Sequence, residues 1–454
     1  MKLAIVLVIL VVGSVIFHFA SPWWFTPLAA DWGAIDTTIN ITFWVTGFVF
    51  IAVNFFLAYV VYRYRYDKNR KSDYDPENKP LELWLTIITT VGIFAMLTPG
   101  LFVWAKFVNP PDDAAVVEVV GQQWQWGFRF PGKDNVLGKT HARFTSEKNP
   151  FGLDPDDMLG QDDIIVDNND LHLPINQSVK VLLRSKDVLH NFAVPQFRVK
   201  MDLVPGLITN VWFKPTQIGA FDILCMELCG VAHFAMRGRV VVDEQKDFEQ
   251  WLAARPTFAE TQNQTLGDPK IGQVLYAICS GCHQKNGEGN GALNAPKLAM
   301  QSSKYLIRQL HYYKQGVRGA HEQDEYGKQM ANMAAVLADD AAINHVVSYI
   351  ATLGNGDSER EKPSITSGNI DSGKSLFRKC SVCHGHQGEG NNALNAPRLA
   401  GLQDWYLKRQ LLNYKNEVRG KHEHDNFGKQ MMLMANMLNS EQQIDDIVTY
   451  INRL

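Results

Sequence analysis

At 454 residues the chain is too long for one ordinary core, so several domains are expected. A formal net charge of −3 gives no general argument for a nucleic-acid partner, and none is expected. All six cysteines fall in ligand or attachment motifs, which leaves none for a disulfide framework.

Three apolar stretches open the chain. Leu3–Ala20 is just long enough to span a bilayer. Its alternative is a signal peptide, with Lys2 as a minimal basic region, but no A-x-A-like cleavage site follows. A retained helix over 3–20 is therefore expected, with Trp23, Trp24 and Trp32 as interfacial anchors. The second span is expected over 38–62 and the third over 81–106. Between them lies R-Y-R-Y-D-K-N-R-K, residues 63–71, with five basic residues. The positive-inside rule puts that loop in the cytoplasm and everything after Phe107 in the periplasm. Glu82 opens the third span, where a carboxylate suits the helix macrodipole.

From Ala115 to Val242 the pattern changes. V-V-E-V-V, S-V-K-V-L-L-R, N-V-W-F-K and R-G-R-V-V-V are β-branched, aromatic-rich runs separated by turn signals. They predict a cupredoxin-like β-sandwich or barrel over residues 107–245. The acidic stretch around Asn149–Asp170 reads as a surface loop.

Near the end of this region stands C-M-E-L-C-G-V-A-H-F-A-M, residues 225–236. Thiolate, imidazole and thioether form a soft ligand set, which suits copper. Cys225 and Cys229 can each bridge the same two ions. Two copper ions then need one imidazole each. His233 supplies one, and His190 in D-V-L-H-N-F is the candidate for the other. Met236 and the backbone carbonyl of Glu227 would fill the weak positions. The alternatives are a disulfide or a structural zinc site; zinc would leave Met236 and Glu227 unexplained.

Residues 246–266 and 354–368 read as linkers, rich in Gly, Ser, Asn and charge. They flank two repeats, 267–353 and 369–454, in register at a constant offset of 101 residues. Cys279 pairs with Cys380, Pro296 with Pro397, Arg318 with Arg419 and Met333 with Met434. Each repeat holds a C-x-x-C-H motif, the signature of covalent haem c attachment, at Cys279, Cys282 and His283 and at Cys380, Cys383 and His384. The histidines are the expected iron ligands. Met333 and Met434 are expected opposite them, with Met330 and Met431 as alternatives, and His/Met ligation suits electron transfer. The helix after each methionine is expected to start near Asp339 and Ser440, the latter with Gln443 as a capping box. His321 and His422, also in register, are read as either propionate contacts or surface residues. Both repeats are expected to be all-α.

Over residues 35–245 these motifs together resemble subunit II of cytochrome c oxidase. G-Q-Q-W-Q-W-G-F (121–128), D-V-L-H-N-F-A-V-P (187–195), K-M-D-L-V-P-G (200–206) and the copper loop carry the likeness. Leu207 stands where the family usually has arginine. The repeats resemble a dihaem cytochrome of the c4 type. The resemblance implies a caa3-type subunit holding a dinuclear copper centre (CuA) and two haems c. It further implies Trp124 as the residue where electrons reach copper, Glu82 at the mouth of a proton path, and the Glu227 side chain on a shared magnesium ion. Implied partners are subunit I, with haem a, haem a3 and copper B, and subunit III. An external donor, either a cytochrome or a quinol-oxidising complex, would supply the electrons. The implied location is a bacterial inner membrane. Two other readings are kept: the electron-accepting subunit of a copper-containing nitric oxide reductase, and a membrane-tethered copper and haem carrier.

Overall fold

The computed structural model describes residues 2–21, 25–71, 76–263, 266–354, 364–365 and 367–454. Three apolar helices come first: α1 (Lys2–Ala20), α2 (Gly33–Arg63) and α3 (Lys79–Val108). All three are long and apolar enough to cross a membrane. Asn78 caps α3, its side chain accepting from Leu81 N, with Glu82 in the first turn. Trp23 and Trp24 lie outside the described residues.

Trp32 does not sit as an interfacial anchor. It is fully buried, its indole N–H donates to Trp212 O at 3.0 Å, and its ring meets Trp212 edge-on. The core supplies the hydrogen-bond partner that a buried indole N–H needs, so the ring packs inside the protein instead of at a lipid boundary. The Trp212 indole in turn donates to Lys106 O at 3.0 Å. Arg198 grips Asp36 of α2 with two hydrogen bonds of 2.6 and 2.9 Å. Side-chain contacts, and not linker length alone, thus hold the β-domain against the ends of α2 and α3.

That domain is a pair of five-stranded sheets. Its strands are β1 (Ala115–Gln122), β2 (Gln125–Phe130), β3 (Ile164–Val166), β4 (Asp170–Pro174), β5 (Val179–Ser185), β6 (His190–Val194), β7 (Val199–Leu203), β8 (Thr209–Phe213), β9 (Gly219–Cys225) and β10 (Arg237–Asp243). One sheet runs β3-β2-β1-β5-β8 and the other β4-β10-β9-β6-β7. β1–β5 and β4–β10 pair parallel, and the remaining pairs are antiparallel. Alternating residues such as Val179, Val181 and Leu183 are fully buried between the sheets. This is the cupredoxin-like arrangement.

The 149–170 stretch is more than a surface loop. Phe151 and Leu153 are buried against Val120 and Phe258. Asp163 is fully buried and binds Arg129 at 2.5 Å, while Arg129 also holds Glu118 at 2.6 Å. The stretch read as a linker, 246–266, carries α4 (Gln245–Ala253) and α5 (Phe258–Asn263). Trp251 of α4 stacks on His172 and meets Phe130 edge-on.

The C-terminal half is helical throughout. The first repeat holds α6 (Pro269–His283), α7 (Ser303–Lys314), α8 (Glu325–Ala334) and α9 (Asp340–Thr352). The second holds α10 (Ile370–His384), α11 (Asp404–Lys415), α12 (Asn426–Ala435) and α13 (Glu441–Ile451). Asp339 and Ser440 are the N-caps of α9 and α13. In each repeat the first and last helices cross at a glycine. A Cβ on Gly272 would lie 1.9 Å from His345 O, and one on Gly373 2.0 Å from Asp446 O. Only a residue without Cβ permits that approach. The methionine pairs lie within α8 and α12, helices that the apolar spacing did not announce.

Candidate metal and haem centres

Cys225 ends β9, and the loop that follows returns to β10. The two sulfurs stand 3.7 Å apart, far beyond the ~2.05 Å of a disulfide bond. His190 Nδ1 lies 3.9 Å from Cys225 Sγ, and His233 Nδ1 3.4 Å from Cys229 Sγ. Met236 Sδ is 3.8 Å from Cys229 Sγ, and Glu227 O is 3.3 Å from Cys225 Sγ. The ligand atoms of His190, Cys225 and Cys229 all fall within 4.8 Å of one another. The donors thus divide between the sulfurs: an imidazole and a carbonyl beside one, an imidazole and a thioether beside the other. This soft donor set fits copper.

Asp187, to which the sequence reading gave no role, fixes one of these ligands. Its carboxylate lies 2.8 Å from His190 Nε2 and can only accept there. Nε2 therefore carries the proton, and the Nδ1 lone pair is left facing the sulfurs. Burial opposes a charge on His190, but the Asp187 and Cys225 hydrogen bonds outweigh it and raise its pKa. The Cys229 thiol, hydrogen-bonded to Cys225, favours the Cys225 thiolate and is itself pushed up.

Trp124 is almost wholly buried, and its indole donates to Cys229 O at 3.1 Å. Gln123 Nε2 donates to the same oxygen at 2.7 Å. Gly230 permits this contact: its φ is +123°, and a Cβ there would meet Trp124 Cζ2 at 2.9 Å. Glu227 is half-buried, while Leu207, Ile208, Met226 and Leu228 are exposed. Glu82 is exposed at the far end of α3.

In the helical half one continuous cavity reaches both C-x-x-C-H motifs, with Met330, Met333, Met431 and Met434 all in its wall. His283 Nδ1 donates to Pro296 O at 2.7 Å, and His384 Nδ1 to Pro397 O at 2.8 Å. A carbonyl only accepts, so each Nε2 keeps a free lone pair, the form an iron ligand needs. Burial lowers both pKa values and keeps the rings neutral.

The same cavity contains two buried guanidinium groups, Arg318 and Arg419. Neither forms an ion pair among the described residues. Their partners are neutral glutamines and tyrosines, and the Nε of each has no hydrogen-bond partner. A buried cation without an anion is costly. Haem carboxylates would complete both. The signal that could have found these arginines was their shared register. His321 is exposed and His422 half-exposed, and neither lines the cavity.

Fold and sites together define a membrane-anchored electron-relay protein, with a cupredoxin-like domain joined to two cytochrome c-like domains. The family and sequence likenesses point the same way. The description "Cytochrome C oxidase subunit II, periplasmic domain" matches residues 115–244, and "Cytochrome c" matches 269–354 and 370–454. The alternative cytochrome c oxidase subunit 2 of Bradyrhizobium diazoefficiens is 56% identical over 259 residues, covering 57% of this chain and 94% of that protein. Cytochrome c oxidase subunit 2 of Cereibacter sphaeroides is 28% identical over 229 residues, covering 46% of this chain and 74% of that one. Reduced recombinant cytochrome c4 from Pseudomonas stutzeri is 27% identical, covering 41% of this chain and 99% of that one, at a TM-score of 0.33.

The chain belongs to the cytochrome c oxidase subunit II family. It is an inner-membrane oxidase subunit whose copper-type domain is periplasmic, and membership implies association with a catalytic subunit I.

Proposed function

We propose that this chain is the electron-accepting subunit of a caa3-type haem-copper oxidase. It passes electrons from an external donor through two haems c and a dinuclear copper centre to haem a of subunit I, where oxygen is reduced to water with proton translocation. The observation that carries this reading is the loop geometry: two sulfurs 3.7 Å apart, each with its own imidazole. Cys225 and Cys229 would bridge the ions, His190 and His233 would cap them, and Met236 and the Glu227 carbonyl would fill the weak positions. Bound there, a copper pair supplies one-electron redox chemistry.

The protein's own part is to hold those donors still. The β9–β10 loop is pinned by Trp124 and Gln123 on Cys229 O, and His190 is oriented by Asp187. Cys279, Cys282, Cys380 and Cys383 would attach the haems. His283 with Met333 and His384 with Met434 would ligate the irons. Arg318 and Arg419 would neutralise haem carboxylates. Exposed Leu207, Ile208, Met226 and Leu228 offer apolar contact to subunit I, the Glu227 carboxylate a magnesium ligand, and Glu82 the mouth of a proton path.

Purification of the intact complex with counting of copper, haem c and haem a tests this. Three coppers per complex, two in this chain and copper B in subunit I, together with two haems c and haem a, are expected. Zinc in place of copper, or a partner without haem a, would refute it.

A further inference from the structure

The two haem repeats share their motifs at a constant offset of 101 residues, yet they sit differently on the copper domain. Three side chains of the second repeat, Cys383, Leu433 and Met434, pack against the core of that domain. Helix α12, which carries two of them, lies against the turn that contains His233. Gln430 Nε2 donates to Trp124 O at 2.8 Å, and Asn426 Nδ2 donates to Asn168 O at 2.7 Å and Asp170 Oδ1 at 2.9 Å. Asn395 Nδ2 donates to Gln125 Oε1 at 3.2 Å.

The equivalent residues of the first repeat face elsewhere. Cys282, Gln329 and Glu325 are exposed; Asn294 and Asn395 each accept from an arginine of the opposite repeat, Arg409 and Arg308, but among the described residues only Asn395 also reaches the copper domain. The first repeat's ion pair to the copper domain, Lys304 with Asp167, is half exposed. Along α6, beside its attachment cysteines, Ile271, Val274 and Ile278 are exposed. The second repeat has Ser372, Ser375 and Lys379 at those positions.

From this asymmetry we infer that the two haems act in fixed order: the first repeat accepts electrons from outside, and the second alone delivers them to copper. The inference rests on the electron-relay reading above. In the delivering step the ferrous haem of the second repeat would give up one electron and become ferric. The oxidised, mixed-valence copper pair would take that electron and become fully cuprous, with no bond made or broken and no proton moved. The same docking covers Trp124, so an external donor protein cannot reach it directly. Gln430, Asn426 and Asn395 are positioning residues: they hold the second haem's attachment edge against the copper loop.

The test uses the full-length chain in its oxidase complex and reads the copper electron-spin relaxation, which a nearby ferric haem speeds. Asn426→Asp sets a carboxylate against Asp170 and should loosen the docking, slowing copper relaxation several-fold while both haems remain attached. Adding Asp170→Asn should restore it. Glu325→Lys, the same register position in the first repeat, should change nothing. An unaltered relaxation in Asn426→Asp, or a slowed one in Glu325→Lys, would overturn the order. Absence of any mixed-valence copper signal in the unaltered complex would instead sink the functional reading. The docking is then still decided by hydrogen exchange over residues 121–126, which Asn426→Asp should accelerate and Glu325→Lys should not. Unchanged exchange in Asn426→Asp would overturn it.

Discussion

Arg419 of the second repeat donates to Gln309 of the first at 2.8 Å, and Arg318 of the first donates to Gln410 of the second at 3.2 Å. Each arginine also reaches a tyrosine of the opposite repeat, Tyr305 or Tyr406, at 3.2 Å. The two repeats are therefore joined through a pair of buried cations related by the repeat itself.

A buried cation near a haem stabilises the reduced form, whose net charge is one unit more negative. Arg419→Leu and Arg318→Leu should each lower the midpoint potential of at least one haem. Lysine at either position should recover part of the loss. A redox titration of the full chain reads this, and unchanged potentials in both leucine variants would show that the arginines serve packing alone.

At the copper loop, Cys225→Ser or Cys229→Ser should abolish the mixed-valence copper signal, because a hydroxyl is a poor bridge for soft copper. The haem c spectrum should persist, since Cys279 and Cys380 pack within the repeats' own helical cores. A copper spectrum unchanged in either variant would remove that residue from the ligand set.

For the axial ligands, all four methionines border the cavity, so chemistry must choose between them. Met333→Ala should remove the methionine–iron charge-transfer band of one haem and lower its potential. Met330→Ala should leave both, because a packing methionine is adaptable and its loss changes only local contacts. The reverse result would move the assignment to Met330, and the fixed register would extend it to Met431.

Trp32 is testable by stability. Truncating a fully buried tryptophan leaves a large cavity, and Trp32→Ala should cost about 3–5 kcal/mol. The loss should appear as a lower melting temperature of the β-domain, with the helical repeats melting as before. A shift under a few degrees would place Trp32 outside the domain's cooperative core.

The motifs were legible because short-range chemistry writes them. Soft ligands cluster within one loop, haem attachment needs C-x-x-C-H, and bilayer thickness sets the length of an apolar run. The β-region was legible for a related reason, since burial between two sheets imposes alternation along each strand. Sequence also supplied the register of the repeat, and with it the equivalence of Arg318 with Arg419. It could not supply what distant segments do together. Trp32 looked like a membrane anchor until Trp212, 180 residues away, accepted its hydrogen bond. Asp187 acquired a role only when β6 brought His190 beside it with the ring turned toward Cys225. Residues 149–170 looked polar enough for a free loop, yet Phe151 and Leu153 are buried against Val120 and Phe258, and Asp163 pairs with Arg129. The difference between the repeats was the least visible of all. Cys282 and Cys383 sit in equivalent motifs, and only docking against the copper domain distinguishes them, because the hydrogen bonds of Asn395, Asn426 and Gln430 join residues 256 to 306 positions apart and leave no local pattern.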